Sequence, residues 1–189
     1  EMAEKYGIDI MSFHILLDDV DYVERESCTN TEFYDKMRLA KGVPSTAAIT
    51  PIQFCEKYCQ YVDEGYTDVI HVPINKSGSS TYNNALMAQG MLREERPEHH
   101  MKIHLLDPHT YSMVFSWYLC EMARKLKNGA EISHVIQEFE KQMNCMEIIL
   151  GPYSLKQMKK SGRISAAAAV MGELMGVRPI ITLIDGKTK

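Results

Sequence analysis

Apolar and polar positions follow two different periods along this chain. Short apolar runs predict strands, and longer stretches with an apolar residue every three or four positions predict amphipathic helices. The predicted strands are 8–17, 68–74, 102–106, 146–150 and 180–184. Because helical stretches separate these runs, the pattern favours an α/β fold with a mostly parallel sheet flanked by helices.

Two of the predicted helices begin at a capping box, in which Thr is followed three residues later by Glu or Gln. One box is formed by Thr29 and Glu32, and the other by Thr50 and Gln53. Gly65 is suited to end the second of these helices, because glycine adopts the left-handed conformation that commonly follows a helix.

The later helices carry apolar stripes at helical spacing. The residues predicted to face the core are Ala85, Ala88 and Leu92, then Met113, Trp117 and Cys120, then Ile132, Val135, Ile136, Phe139 and Met143. Two further helices are predicted near the end of the chain, one from Ser154 to Gly162 and one over 166–175 with Ser165 as its cap.

Both ends of the chain have the pattern of interrupted elements. Residues 1–6 have the composition of the last turns of a helix, and Gly7 is suited to end it. Asp185-Gly186 is a hairpin turn signal after the last predicted strand. We therefore expect the returning strand of that hairpin to be missing, and the chain to be an excerpt of a longer one.

The turn between the strand at 68–74 and the following helix is rich in hydroxyl groups, with Ser77, Ser79, Ser80 and Thr81 in five residues. A helix N-terminus offers free backbone N–H groups, and its dipole favours negative charge, so this turn predicts an anion site. It is not a nucleotide-binding phosphate loop, because it has a single glycine and its lysine precedes that glycine. A plain N-cap would explain one hydroxyl but not four.

Two more segments carry candidate anion ligands. Thr46 lies in a predicted loop before the helix that Thr50 caps, and loops at the carboxyl ends of parallel strands meet at one crevice, so Thr46 is expected to face the hydroxyl turn. Arg163 lies in a tight link between two predicted helices, and its guanidinium suits the forked geometry of an oxyanion. The alternative for Arg163 is a solvated side chain after a helix-ending glycine.

Composition excludes several classes of function. The formal charge is −4, with 21 basic and 25 acidic residues spread along the chain, so no nucleic-acid partner is expected. No apolar run is long enough to span a membrane, and five cysteines without C-x-x-C spacing favour a reducing cytoplasm. The histidines at 99, 100, 104 and 109 are better explained as surface residues than as metal ligands.

Three classes of function remain at this point. One is a protein that binds an anion and presents it to a partner. Another is an enzyme that acts on a phosphorylated small molecule, with Ser79 or Ser80 as nucleophile and His71 or His109 as base, which requires a histidine within hydrogen-bond reach of a serine. The third, a regulatory DNA-binding protein, has no basic recognition helix to support it.

The sequence resembles the DegV family of bacterial lipid-binding proteins over essentially its whole length. The order and spacing of several motifs carry this resemblance. The motifs are residues 6–10, 32–37, 44–54, 64–68, 79–82, Asp107 with Ser112-Met113, 160–165, and 179–186.

The resemblance implies a two-domain α/β protein that buries one long-chain fatty acid in a tunnel. The carboxylate-binding residues of the family correspond to Thr46, to Ser79 with Ser80 and Thr81, and to Arg163. The family implies a lipid-binding subunit without catalytic residues, metal or cofactor. It presents the acid to the catalytic subunit of a fatty acid kinase, which forms the acyl phosphate for phospholipid metabolism. The implied location is the cytoplasm, and the implied role is compatible with transient contact with a membrane surface.

The chain departs from the family pattern in three ways. Residues 47–49 replace the family's S-Q-P, Ser80 replaces the usual glycine of the turn, and a strand with a D-S motif and most of the C-terminal part are not in the sequence. We expect residues 1–145 to form the N-terminal α/β domain and residues 146–189 to begin a second, incomplete α/β domain.

Overall fold

The computed structural model describes residues 2–151, 180–184 and 186–188. Its helices are α1 (Met2–Tyr6), α2 (Asn30–Leu39), α3 (Pro51–Asp63), α4 (Thr81–Glu95), α5 (Met113–Lys127) and α6 (Ile132–Asn144). Its strands are β1 (His14–Leu17), β2 (Val20–Val23), β3 (Ser45–Ala47), β4 (Asp68–His71), β5 (Lys102–Leu105), β6 (Glu147–Leu150), β7 (Ile181–Ile184) and β8 (Lys187–Thr188). The helices predicted at 154–162 and 166–175 lie outside the described residues.

Contacts divide the chain into two compact units. One comprises Glu1–Ile10, Ile49–Ile148 and Leu183–Lys189, and the other comprises Met11–Ala48 and Ile149–Thr182. The chain thus enters each unit more than once. The predicted boundary between an N-terminal domain (1–145) and a second domain (146–189) stays a prediction.

The smaller unit contains a three-stranded antiparallel sheet with the order β2-β1-β3. Asp18 and Asp19 connect β1 to β2 with φ angles of 48° and 64°, as in a hairpin turn with two left-handed residues. The predicted strand 8–17 is therefore too long, since only its last four residues are extended in the sheet, and β2 was not predicted. Asp-Asp lacks the glycine that makes such a turn recognisable in a sequence.

The larger unit contains the parallel pair β4–β5, in the register Asp68 with Lys102 and His71 with Leu105. Helices α3 and α4 pack beside each other, with Phe54 and Tyr58 buried on α3. The predicted core positions of α4, Ala85, Ala88 and Leu92, are all buried. The strand and helix alternation of this unit confirms the α/β class.

Helices α5 and α6 contribute four of the five buried residues of an apolar cluster, which consists of Leu106, Met122, Val135, Phe139 and Met143. The stripe predicted for α6 is confirmed, because its buried residues belong to it. The face predicted for α5 is wrong in part. Cys120 is buried, but Met113 and Trp117 are 83% and 62% exposed, because α5 turns the side that carries Met122 toward α6.

A third sheet has the strand order β6-β7-β8. Strand β8 returns antiparallel to β7, with Ile184 opposite Lys187 and Leu183 opposite Thr188. The hairpin predicted after 184 is therefore present, and the expectation that its returning strand is missing is wrong. The strand is only two residues long, which is too short for a periodic pattern to reveal.

Local signals at helix ends are confirmed. Both predicted capping boxes form, at Thr29 with Glu32 and at Thr50 with Gln53. Gly7 and Gly65 follow α1 and α3 with φ angles of 67° and 81°. No helix in the described ranges is both long enough and apolar enough to cross a membrane.

The capping box of α3 provides a direct test of the fold. In the full-length protein, Thr50→Ala is expected to lower the free energy of unfolding by about 1 kcal/mol, because it leaves the Gln53 N–H without its side-chain acceptor. Thr50→Ser keeps the hydroxyl and serves as the matched control in urea denaturation. Equal stability of the two variants would contradict a contribution from this cap.

Candidate functional site

Ser79, Ser80 and Thr81 lie at the beginning of α4 and form the hydroxyl turn. Ser80 is the N-cap residue, but its side chain makes no capping bond. Instead, the Ser79 hydroxyl oxygen accepts the Thr81 N–H at 3.2 Å and lies 2.7 Å from the Thr81 hydroxyl. An ordinary side-chain N-cap therefore does not account for these hydroxyl groups.

The three residues of the hydroxyl turn differ in burial. Ser80 is exposed, Ser79 is half-buried, and Thr81 is 2% exposed. All three lie at the helix end where backbone N–H groups and the positive end of the dipole favour an anion. The arrangement can offer hydroxyl donors to the oxygens of a carboxylate or phosphate that approaches from the exposed side.

The segment that precedes the hydroxyl turn is fixed by a buried asparagine. Asn75 is 0% exposed. Its Oδ1 accepts the Ser77 N–H at 3.1 Å, and its Nδ2 donates to Tyr111 Oη at 3.2 Å and to the Gly186 carbonyl oxygen at 2.7 Å. The side chain thus connects the turn after β4 to the loop after β5 and to the β7–β8 hairpin.

Asp107 makes a second connection between the turn after β4 and the loop after β5. Its Oδ1 accepts the backbone N–H groups of Lys76 at 3.3 Å and of His109 at 3.0 Å. Its Oδ2 makes no hydrogen bond, although Lys76 Nζ and His109 Nδ1 lie at ion-pair distances of 3.5 and 3.4 Å. The Asp107 side chain is only 7% exposed, so the Lys76 ammonium group faces a carboxylate that water barely reaches.

The loop after β5 also carries backbone strain. His109 and Ser112 have φ angles of 54° and 70°, which non-glycine residues seldom adopt. Between them, Thr110 is buried and its hydroxyl has no hydrogen-bond partner, while its carbonyl oxygen accepts the Asn75 N–H at 3.2 Å. The loop is therefore held in place by the contacts to Asn75 and Asp107 and not by its own conformational preference.

Two other residues, Thr46 and Arg163, were predicted to belong to this site. Thr46 is exposed in β3, opposite Ile15 of β1, and belongs to the smaller unit. It was predicted in a loop and is in fact on a short strand, because pairing with β1 extends the backbone there. Arg163 lies outside the described residues. The structure thus brings together Ser79, Ser80 and Thr81.

The two histidines considered as catalytic bases have other partners. His71 Nδ1 lies 2.6 Å from Tyr58 Oη, and the His71 ring lies 4.8 Å from the Phe54 ring. Burial lowers the pKa of His71 to about 4 and raises the pKa of Tyr58, so both groups are neutral. His109 faces Asp107, as described above, so neither histidine is paired with a serine of the turn.

The remaining histidine and cysteine candidates do not assemble a metal centre. His104 Nε2 lies 2.9 Å from Asp68 Oδ1, and this hydrogen bond lowers the pKa of Asp68. No group of three potential metal-ligating side chains is found in the described part of the chain. All five cysteines are free thiols, and burial, followed by the neighbouring Cys59, raises the pKa of Cys55 to about 11.

Sequence reasoning missed Asn75, Tyr111 and the structural role of Asp107. The available signals were weak. Asn75 directly follows an apolar strand, where asparagine is a common turn residue, and Asp107 holds the same place after the next strand. Nothing in the local pattern around Tyr111 indicates that its hydroxyl reaches a residue 36 positions earlier.

Comparisons with a family model and with individual sequences both identify the DegV family. The family model for the DegV family of uncharacterised proteins matches residues 1–189. A DegV domain-containing protein of Clostridium perfringens is 27% identical over 186 residues, and one of Clostridium acetobutylicum is 29% identical over 188 residues. The alignments cover 98% and 100% of this chain, but only 64% of each relative.

Solved structures share the fold. A stearic acid-binding protein from Eubacterium ventriosum superposes with a TM-score of 0.86 at 23% identity, covering 99% of this chain and 64% of that one. The fatty acid kinase B3 protein of Streptococcus pneumoniae, loaded with linoleic acid, gives 0.77 at 17% identity, covering 95% and 62%. The chain therefore spans about 64% of the first of these structures and 62% of the second.

The buried pair of His71 and Tyr58 predicts a pH dependence of stability. Between about pH 6.5 and pH 4 the unfolded chain binds a proton at His71 that the folded chain does not, so the free energy of unfolding falls as the pH falls. The expected loss from this residue is on the order of 3 kcal/mol.

The measurement is urea denaturation of the full-length protein and its His71→Gln variant across this pH range. The variant is expected to lose less stability on acidification than the unmodified protein. The matched control is His134→Gln, the same substitution at an exposed histidine. Parallel curves for all three proteins would contradict the neutral, buried state of His71.

Proposed function

Because this chain belongs to the DegV family, we propose that it binds a long-chain fatty acid and presents the carboxylate to a partner kinase. The observation that carries the proposal is the hydroxyl turn. The Ser79, Ser80 and Thr81 hydroxyls are grouped at a helix N-terminus, and the Ser80 hydroxyl is not used as a cap. Charge-assisted hydrogen bonds from such hydroxyls hold an ionised carboxylate more strongly than neutral hydrogen bonds would.

The choice of a fatty acid over another anion is supported by the named relatives of similar fold. One binds stearic acid, and another is loaded with linoleic acid. In physical terms, burial of an alkyl chain contributes about 0.8 kcal/mol per CH₂, so the tail provides most of the affinity. Each hydroxyl adds about 1.5–3 kcal/mol when it binds the charged head, and so sets the orientation of the ligand. We propose that a tunnel for the tail is completed in the full-length protein.

Two further residues complete the proposed carboxylate site. Thr46 is exposed on β3, so its hydroxyl is accessible to a ligand. Arg163 supplies the forked cation that suits a carboxylate. Both assignments come from the correspondence with the family motifs, and both are proposals for the full-length protein.

The proposed role does not require catalytic residues in this chain. A fatty acid carboxylate is already ionised at neutral pH, so no base has to remove a proton. Its oxygen attacks the γ-phosphorus of ATP bound to the partner kinase, the bond to the β-phosphate oxygen breaks, and acyl phosphate and ADP result. ATP and reduced thiols are both found in the cytoplasm, which we propose as the location of this reaction.

The alternative, an enzyme with a serine nucleophile, is not favoured. It requires a histidine that can take the serine proton, but His71 is paired with Tyr58, and burial lowers its pKa to about 4, which makes it a weak base. His109 is engaged with Asp107. The hydroxyl turn is therefore better suited to holding an anion than to attacking a substrate.

The first test is the identity of the bound ligand. The full-length protein purified from a bacterial host is expected to carry close to one fatty acid per molecule, because an amphiphile in a tunnel dissociates slowly. Denaturation followed by mass spectrometry of the extract measures the ligand. A nucleotide or sugar phosphate in place of a fatty acid would refute the lipid assignment.

The second test separates the head group from the tail. Thr46→Ala and Ser79→Ala are each expected to weaken the binding of palmitic acid by roughly tenfold or more, since each removes a hydrogen bond to a charged group. The binding of hexadecanol should change much less. Ser133→Ala, at an exposed position of α6, is the matched control in the same competition assay.

Equal losses for acid and alcohol would mean that the two hydroxyls act through the structure of the protein and not through the carboxylate. In that case the head-group assignment would be wrong, even if mass spectrometry finds a bound fatty acid.

A further inference from the structure

Asn75 is the buried residue at which the hydrogen bonds of several loop segments meet. It is completely buried, and all of its hydrogen-bonding groups are used. Its backbone N–H donates to Thr110 and its backbone carbonyl accepts from Gly78, while its side chain binds Ser77, Tyr111 and Gly186. Three separate segments of the larger unit therefore meet at one residue, four positions before Ser79.

An amide is the side chain that fits these partners. Oδ1 faces an N–H donor, whereas Nδ2 faces a carbonyl oxygen and a hydroxyl oxygen. An aspartate would place a second oxygen against the Gly186 carbonyl, and a leucine would leave all three partners without a hydrogen bond in a buried environment. The chemistry of the position thus selects asparagine, and its amide orientation follows from its partners.

Two nearby glycines leave the space that the Asn75 and Tyr111 side chains occupy. A Cβ atom at Gly78 would lie 1.5 Å from Tyr111 Oη, so the absence of a side chain at Gly78 leaves the space that the Tyr111 hydroxyl occupies. A Cβ atom at Gly186, where φ is 73°, would lie 2.6 Å from Asn75 Oδ1. The Asn75 amide and the Tyr111 hydroxyl therefore approach backbone that only glycine allows.

We propose that Asn75 is the positioning residue of the carboxylate site, which fixes the hydroxyl turn by tying the segment before it to Tyr111 and to the β7–β8 hairpin. This inference rests on the proposed function. A turn that is already ordered loses less conformational freedom when the ligand binds, so its hydroxyl groups bind a carboxylate more tightly. Asn75 itself does not touch the ligand and acts through Ser79 and Thr81.

The test compares palmitic acid with hexadecanol in the delipidated full-length protein, by competition against a fluorescent fatty acid. Asn75→Ala is expected to lower the affinity for palmitic acid about tenfold and the affinity for hexadecanol less than about threefold. In a Ser79→Ala background, Asn75→Ala should have a smaller effect on the acid, because one of the two residues through which it acts is absent. Asn83→Ala, at an exposed position in the first turn of α4, is the matched control and should leave both affinities unchanged.

Each other outcome overturns the inference, and the outcomes separate it from the proposed function. Equal losses for acid and alcohol would mean that Asn75 supports the fold as a whole. Unchanged acid binding in Asn75→Ala, with a loss in Ser79→Ala, would leave the carboxylate site in place and remove the role of Asn75. If neither variant weakened acid binding, the hydroxyl turn would not be the carboxylate site.

Tyr111→Phe keeps the test decisive if Asn75→Ala does not fold. This variant removes only the hydroxyl that accepts from Asn75 Nδ2 and keeps the ring. It is expected to weaken palmitic acid binding about threefold without a comparable effect on hexadecanol. Unchanged acid binding in folded Tyr111→Phe would overturn the proposed positioning.

Discussion

The parallel pairing of β4 with β5 is the constraint on which the candidate site depends. The two strands are aligned so that they end together, with His71 opposite Leu105, and the Leu106 N–H still donates to the His71 carbonyl oxygen at 2.9 Å. The polypeptide therefore leaves both strands at the same edge of the sheet. This brings the turn after β4 and the loop after β5 close enough for Asn75 and Asp107 to join them, at the edge where ligands of open α/β sheets bind.

Buried polar groups determine the shape of this edge. Removing an amide or carboxylate from water costs free energy unless its hydrogen bonds are replaced. The Asn75 amide has all its partners, and one Asp107 oxygen accepts two backbone N–H groups. These bonds hold the neighbouring loop in a conformation that includes two left-handed non-glycine residues, so the loop geometry is imposed by its partners.

His71 within β4 and the hydroxyl turn that follows β4 lie in different chemical environments. His71, within β4, lies in an aromatic environment with Phe54 and Tyr58, where burial keeps it neutral. The hydroxyl turn begins eight residues further on, at a helix N-terminus with an exposed side. A site of this kind can hold an anion in a fixed orientation without changing its protonation, as the proposed presentation of a carboxylate to a partner kinase requires.

The features that depend on neighbouring residues could be predicted from the sequence. The capping boxes at Thr29 and Thr50, the apolar stripe of α6 and the hydroxyl groups at the start of α4 follow from interactions within one or two helical turns. The hairpin at Asp18-Asp19 and the orientation of α5 escaped sequence reasoning, because turn chemistry without glycine is ambiguous and two faces of α5 are apolar. The contacts of Asn75 could not be predicted, since Tyr111 and Gly186 are 36 and 111 residues away along the chain, and no local pattern specifies which distant groups a buried amide will meet.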